Sequence, residues 1–141
     1  MFVLQRGSNL GGPCVLVVPP FAEEMNKARR MIALAAMRLA EKGFVTVIPD
    51  LYGTGDSGGD FADADWALWR DDLVRTAHWC ADEVGPITGI LAVRLGCALA
   101  CADDVLAAMP AVSRSVFWQP VLDGSRHLTQ FLRLRVAASM A

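Results

Sequence analysis

The stretch LAVRLG, residues 91–96, has the spacing of a nucleophile elbow without the nucleophile. A strand that turns abruptly into a helix to present a reactive side chain needs small residues two positions before and two positions after it. Ala92 and Gly96 meet that need around position 94, and position 94 is arginine. A guanidinium stays protonated at physiological pH and is no nucleophile, so acyl transfer through a serine here is excluded. Centred on Cys97, the flanking residues would be Leu95 and Leu99, both too large, so Cys97 belongs one turn into the following helix. The planar fork of Arg94 suits a carboxylate or phosphate. Three uses of it stand open: an internal pair with Glu23 or Glu24 that shapes the rim, a ligand-anion contact, or unconventional catalysis.

The second chemical candidate is DLYGTGDSGGD, residues 50–60. It is not a Walker A loop, because no Lys-Ser/Thr follows the glycines. It is a poor dinucleotide loop, because no helix opens at its last glycine. Its GDSGG string belongs elsewhere to an all-β fold, which this chain does not have. Ser57 lies in this loop with no base beside it in sequence. His78 falls inside a helical segment and His127 at the start of the last one, and both read as structural or surface residues. Cys14, Cys80, Cys97 and Cys101 form no CxxC pair and no metal spacing, and read as reduced, mostly buried thiols.

Composition limits the classes. A length of 141 residues suits one domain, 1–141, and 54% hydrophobic against 20% charged residues excludes a disordered chain. The net charge of −2 argues against a nucleic-acid partner. Lys27, Arg29 and Arg30 read as the solvated face of a helix. The N-terminus lacks a basic region and is broken by Gly and Pro, so no signal peptide is expected. The run CVLVVPPFA is too short to span a bilayer. The expected location is the cytoplasm. No cofactor or metal is expected.

The elements that must position these residues alternate. CVLVVPP (14–20), FVTVIPD (44–50), ITGILAV (87–93) and RSVFWQPV (114–121) read as strands with no polar face. Between them lie a helix whose face is Met25, Ala28, Ile32, Ala35, Ala36 and Leu39, and a second whose face is Trp66, Trp69, Leu73, Ala77, Cys80 and Val84. Asp63 or Asp65 is placed to cap the second. Residues 95–109 read as one helix, and SRHLTQFLRLRVAASM as the last. The class is α/β, a parallel sheet covered by helices on both faces. Ligands in such sheets bind at the carboxyl ends of the strands. Four unusual loops fall there: 19–24, 50–59, 94–96 and 119–120.

Taken in order, VLVVPPF, DLYGTGDSGG and LAVRLG resemble the α/β-hydrolase family. The stretches PPFAEEMNKARRM, PDLYGTGDSGGDF, AVRLGCALA and WQPVLDGSRHLTQFLRLRVAASM are similar to the exosortase A system-associated hydrolase 2 group. The resemblance implies a bacterial protein tied to exopolysaccharide and protein-sorting clusters and nominally an ester-type hydrolase. It implies the strand order 44–50, 14–20, 87–93, 114–121. It also implies that the chain corresponds to the N-terminal part of the fold, lacking the last strands with their triad acid and histidine. It makes the backbone N–H groups of Phe21 and Leu95 the oxyanion donors, since Pro19 and Pro20 have none. Glu23, Glu24 and Ser57 are expected on the rim. A small anionic or ester-like molecule is the expected ligand, or else a scaffold role on the same fold. The apolar 114–121 strand is expected to be an exposed sheet edge through which two copies could pair.

Overall fold

The computed structural model describes residues 2–8 and 10–140. Five strands form one sheet: β1 (Phe2–Arg6), β2 (Cys14–Val18), β3 (Val45–Asp50), β4 (Ile87–Val93) and β5 (Arg114–Trp118). Their order is β1-β3-β2-β4-β5. The last four are parallel, in the order expected. The sheet is nevertheless mixed, because β1 adds antiparallel to β3, Phe2 facing Asp50 and Arg6 facing Thr46. The sequence reading saw only glycines and a proline here. Those same residues make the return possible: the glycine-rich link after Gly7 lets the chain double back from β1 into β2.

Side chains alternate across the sheet as a period of two requires. Cys14, Leu16 and Val18 of β2, Val45 and Val47 of β3, and Ile90 and Ala92 of β4 enter one core. Val17, Leu91 and Val93 point to the other side. The larger core is closed by α2 (Trp66–Glu83) through Trp69, Leu73, Ala77 and Cys80, and by α3 (Gly96–Ala100) and α4 (Asp103–Ala107). Leu73 is fully buried and contributes about 1.5–3 kcal/mol. Asp65 caps α2 by accepting from Leu68 N at 2.7 Å. The opposite face carries α1 (Ala22–Glu41), with Ile32 and Ala36 buried against the sheet. This cover is partial: beside α1 lies a groove of about 770 Å³ with Leu91 half-buried and Val116 exposed along it.

Three element boundaries differ from expectation. Strands β2 and β5 stop early, at Val18 and Trp118, because prolines at 19, 20 and 120 have no N–H for a ladder. The single helix expected over 95–109 is two short ones, since Ala102 is extended, with ψ 137°. The last helix, α5 (Gly124–Ser139), is capped by Asp123 through Arg126 N at 2.9 Å.

Candidate functional site

All four loops noted in the sequence gather at the carboxyl edge of the parallel strands. Three of them turn on residues that rarely adopt a left-handed backbone: Ala22, Arg94 and Gln119, with φ of 52°, 55° and 48°. Each follows a different strand. Such conformations cost of order 1–3 kcal/mol apiece and persist where surrounding structure enforces them, often at functional sites. No sequence signal announced two of them, because neither Ala22 nor Gln119 is a glycine.

The elbow itself is built as its spacing predicts. Arg94 takes the left-handed turn, and its N–H donates to the Trp118 carbonyl at 3.0 Å. Cys97 N donates back to the Arg94 carbonyl at 3.2 Å, closing the turn into α3. Position 96 must be glycine: a Cβ there would stand 2.6 Å from the Pro19 carbonyl oxygen and 2.7 Å from that of Val18. Ala92 is fully buried. The small residues let the elbow pass beneath the β2 loop.

Glu24 receives the guanidinium. Arg94 donates from Nε and Nη2 to one carboxylate oxygen of Glu24 at 3.0 and 2.9 Å. Its Nη1 donates to the Gln119 carbonyl at 3.1 Å. Both partners of the ion pair are about one-third exposed, 32% and 33%, so water weakens the attraction. Glu23, one residue earlier, is exposed to solvent. Ser57 is fixed in its loop, where its Oγ donates to the Asp50 carbonyl. The Asp50 carboxylate accepts from Asp56 N at 2.9 Å, and Gly55, with φ of 54°, leaves room for it. Ser57 therefore stabilises the glycine-rich loop and is not brought to Arg94.

The cysteine near the elbow is no substitute nucleophile. Cys97 is buried, and that burial pushes its thiol above the ordinary value. The thiolate, which is the reactive form, is disfavoured there.

Phe21 and Leu95 share a cavity of about 260 Å³ on the α2 side of the elbow. Phe21 immediately precedes α1 and Leu95 immediately precedes α3. The wall is aromatic: Phe21 stacks on Trp69 at 4.2 Å and meets Trp66 edge-on at 6.4 Å. Trp69 is held by its ring N–H, which donates to the Tyr52 carbonyl at 3.0 Å. The Tyr52 amide in turn donates to the buried Asp72 carboxylate at 2.7 Å. Asp72 was not singled out in the sequence, where it sits among the polar residues of α2. The sequence reads His127 as a structural or surface residue. It is half-buried and lines this cavity with Phe131, one helical turn on. The i, i+4 spacing of His127 and Phe131 was the available signal.

Arg94 does not line that cavity. With Glu24 it lines a separate cleft of about 220 Å³ between α1 and the ends of β4 and β5. Arg94 and Leu95, adjacent at the elbow, thus line two different spaces. Among the described residues no cluster of His, Cys, Asp or Glu could hold a metal, and no helix is long and apolar enough to cross a membrane.

Comparison with known proteins fits this architecture. The model of the X-Pro dipeptidyl-peptidase (S15 family) matches residues 7–114. Among solved structures, the chain is similar to the "Putative hydrolase from Agrobacterium vitis S4", with a TM-score of 0.54 and 20% identity. The match covers 92% of this chain and 54% of that one, so the chain spans about half the length of that structure. At this identity the likeness carries the fold alone. No curated protein matches the chain.

Proposed function

The chain belongs to the X-Pro dipeptidyl-peptidase (S15 family), of α/β-hydrolase type, and on that premise we propose that it is a binding member of a hydrolase family, one that holds a small ester-like or anionic molecule without acylating itself at the elbow. The observation that carries this reading is Arg94: the elbow is formed, but the residue presented on it is a cation already bonded to Glu24 and Gln119. The aromatic cavity beside Phe21 and Leu95 supports an apolar, acyl-sized occupant. Their N–H groups would meet its carbonyl oxygen as oxyanion donors.

The finer placement rests on PPFAEEMNK and WQPVLDG, which are similar to the exosortase A system-associated hydrolases. On that reading the protein serves a bacterial exopolysaccharide or protein-sorting cluster from the cytoplasm. Removing it from a bacterium with such a cluster should lower exopolysaccharide output or sorting, and unchanged output would overturn the assignment.

The chemical half of the proposal is tested with p-nitrophenyl butyrate and a serine-directed fluorophosphonate. Neither turnover nor labelling should exceed that of denatured protein. Arg94→Ser should also stay silent in this chain, since a hydroxyl needs a base oriented toward it and, among the described residues, no carboxylate bonds to the His127 ring to orient it. Stoichiometric labelling of the native protein would refute the reading.

A further inference from the structure

We infer that the cleft between α1 and the ends of β4 and β5 is a binding site for a small apolar monocarboxylate, such as an arylacetic or branched short-chain acid. The site is separate from the aromatic cavity on the other side of the elbow. It depends on the reading above in one respect: Arg94 is available because it stands where a nucleophile would.

Charge selects the ligand class. Glu24 and Lys27 stand one turn apart on α1, and Arg94 lines the cleft from the end of β4, so two cations against one carboxylate leave one net positive charge. That matches a monoanion better than a phosphate dianion. Three of the guanidinium's five N–H groups are engaged by Glu24 and Gln119, and the rest can meet a carboxylate oxygen. Lys27 is exposed at the rim of the cleft and forms no ion pair among the described residues. It can close over the second oxygen.

Shape selects the rest. Behind the charges the wall is apolar, formed by Ile32, Val93 and the half-buried Trp118, with the exposed Met31 at the mouth. Val93 and Ile32 are almost fully buried, so the floor is rigid, while methionine adapts to varied shapes. A volume of about 220 Å³ falls below the roughly 300–1,000 Å³ of drug-sized pockets. A single ring or a short branched chain fits; a nucleotide does not. The strained turns at Arg94 and Gln119 are what bring the guanidinium and the Gln119 carbonyl to one edge of this cleft.

The test is calorimetric titration of the 141-residue protein with phenylacetate, phenethylamine and inorganic phosphate. Phenylacetate should bind once per chain, and the amine and phosphate should bind at least tenfold more weakly. Lys27→Gln should weaken phenylacetate by about tenfold, or about 1.4 kcal/mol. Met31→Glu, which sets a carboxylate at the mouth, should abolish binding. Both sites are exposed, so neither change threatens folding. Leu128→Glu, at the exposed edge of the aromatic cavity, should leave phenylacetate affinity unchanged. The inference is overturned by no binding of phenylacetate, by equal binding of phenethylamine, by indifference to Lys27→Gln, or by loss with Leu128→Glu in place of Met31→Glu. Failure here leaves the ester and fluorophosphonate results intact, and ester turnover there leaves this titration intact, so the two readings fail separately.

Discussion

Replacing Gly96 with alanine isolates the packing demand of the elbow from its chemistry. The added Cβ would meet the carbonyl oxygens of Pro19 and Val18 at 2.6 and 2.7 Å and the Pro19 carbonyl carbon at 3.2 Å. All three are backbone atoms of the end of β2 and the loop that follows it, so no side chain can swing aside. Overpacking of this kind costs about 1–3 kcal/mol, and a clash with backbone belongs at the upper end. Alanine recovers at most about 1 kcal/mol of helix propensity at the start of α3. The net expectation is a loss of about 2 kcal/mol. With a urea slope of about 2 kcal/mol/M, the unfolding midpoint should fall by about 1 M with the slope unchanged. Gly124→Ala is the matched control: it too opens a helix, and its Cβ would meet nothing within 4 Å. It should be neutral or stabilising by up to about 1 kcal/mol. Urea unfolding followed by tryptophan fluorescence measures both. If Gly96→Ala proves as stable as the parent, the close approach of elbow and β2 loop is not what position 96 serves, and the argument fails.

Other outcomes follow from charge and exposure. A maleimide at neutral pH should modify Cys101, the exposed cysteine, well before the buried Cys97, Cys14 and Cys80. Burial raises the Cys97 thiol, and hydrogen bonding with Cys14 followed by burial raises Cys80; mass mapping that finds Cys97 first would contradict this. The hydrogen bond from Arg70, at 3.0 Å, holds the Asp104 carboxyl below its ordinary value. A group depressed on folding favours the folded state above its unfolded pKa and loses that contribution as pH falls through the folded one. An NMR titration should therefore show Asp104 ionising below a normal aspartate, and Arg70→Gln should raise it; an unchanged curve would refute the pairing. The outer edge of β5 has no strand beside it among the described residues, and Val116 and Phe117 are 59% and 45% exposed. Concentrated solutions should associate, and Phe117→Lys should reduce that by light scattering; association unaffected by the lysine would place it elsewhere.

Much of the fold could be read because burial leaves a periodic trace. Strands covered on both faces lose the alternation of polar and apolar positions, and the runs at 14–18, 45–50 and 87–93 show it, with Thr46 and Thr88 the only polar residues inside them and Asp50 at an end. The helix faces at Ile32 and Ala36, and at Trp69, Leu73, Ala77 and Cys80, showed the other period. Strand β1 left a weaker trace. It is an edge strand of five residues, exposed at Leu4, and it ends in glycines that read as breaks. The break between α3 and α4 left none, because an extended alanine at 102 needs no special residue.

The site was legible in its backbone and not in its directions. Ala92 and Gly96 encode the approach of two main chains, and that approach depends only on the absence of side-chain atoms. Where the Arg94 side chain goes is decided by residues far off in sequence. Glu24, 70 residues away, and the Gln119 carbonyl, 25 away, pull it toward α1. Phe21 and Leu95 line the aromatic cavity on the other side. A serine at the same position is too short to reach Glu24, so its hydroxyl would remain at the turn. Arginine has the length to leave it. The length of arginine therefore carries the charge of residue 94 away from the turn to Glu24 and the Gln119 carbonyl, while the main chain beneath it keeps the left-handed conformation of an elbow.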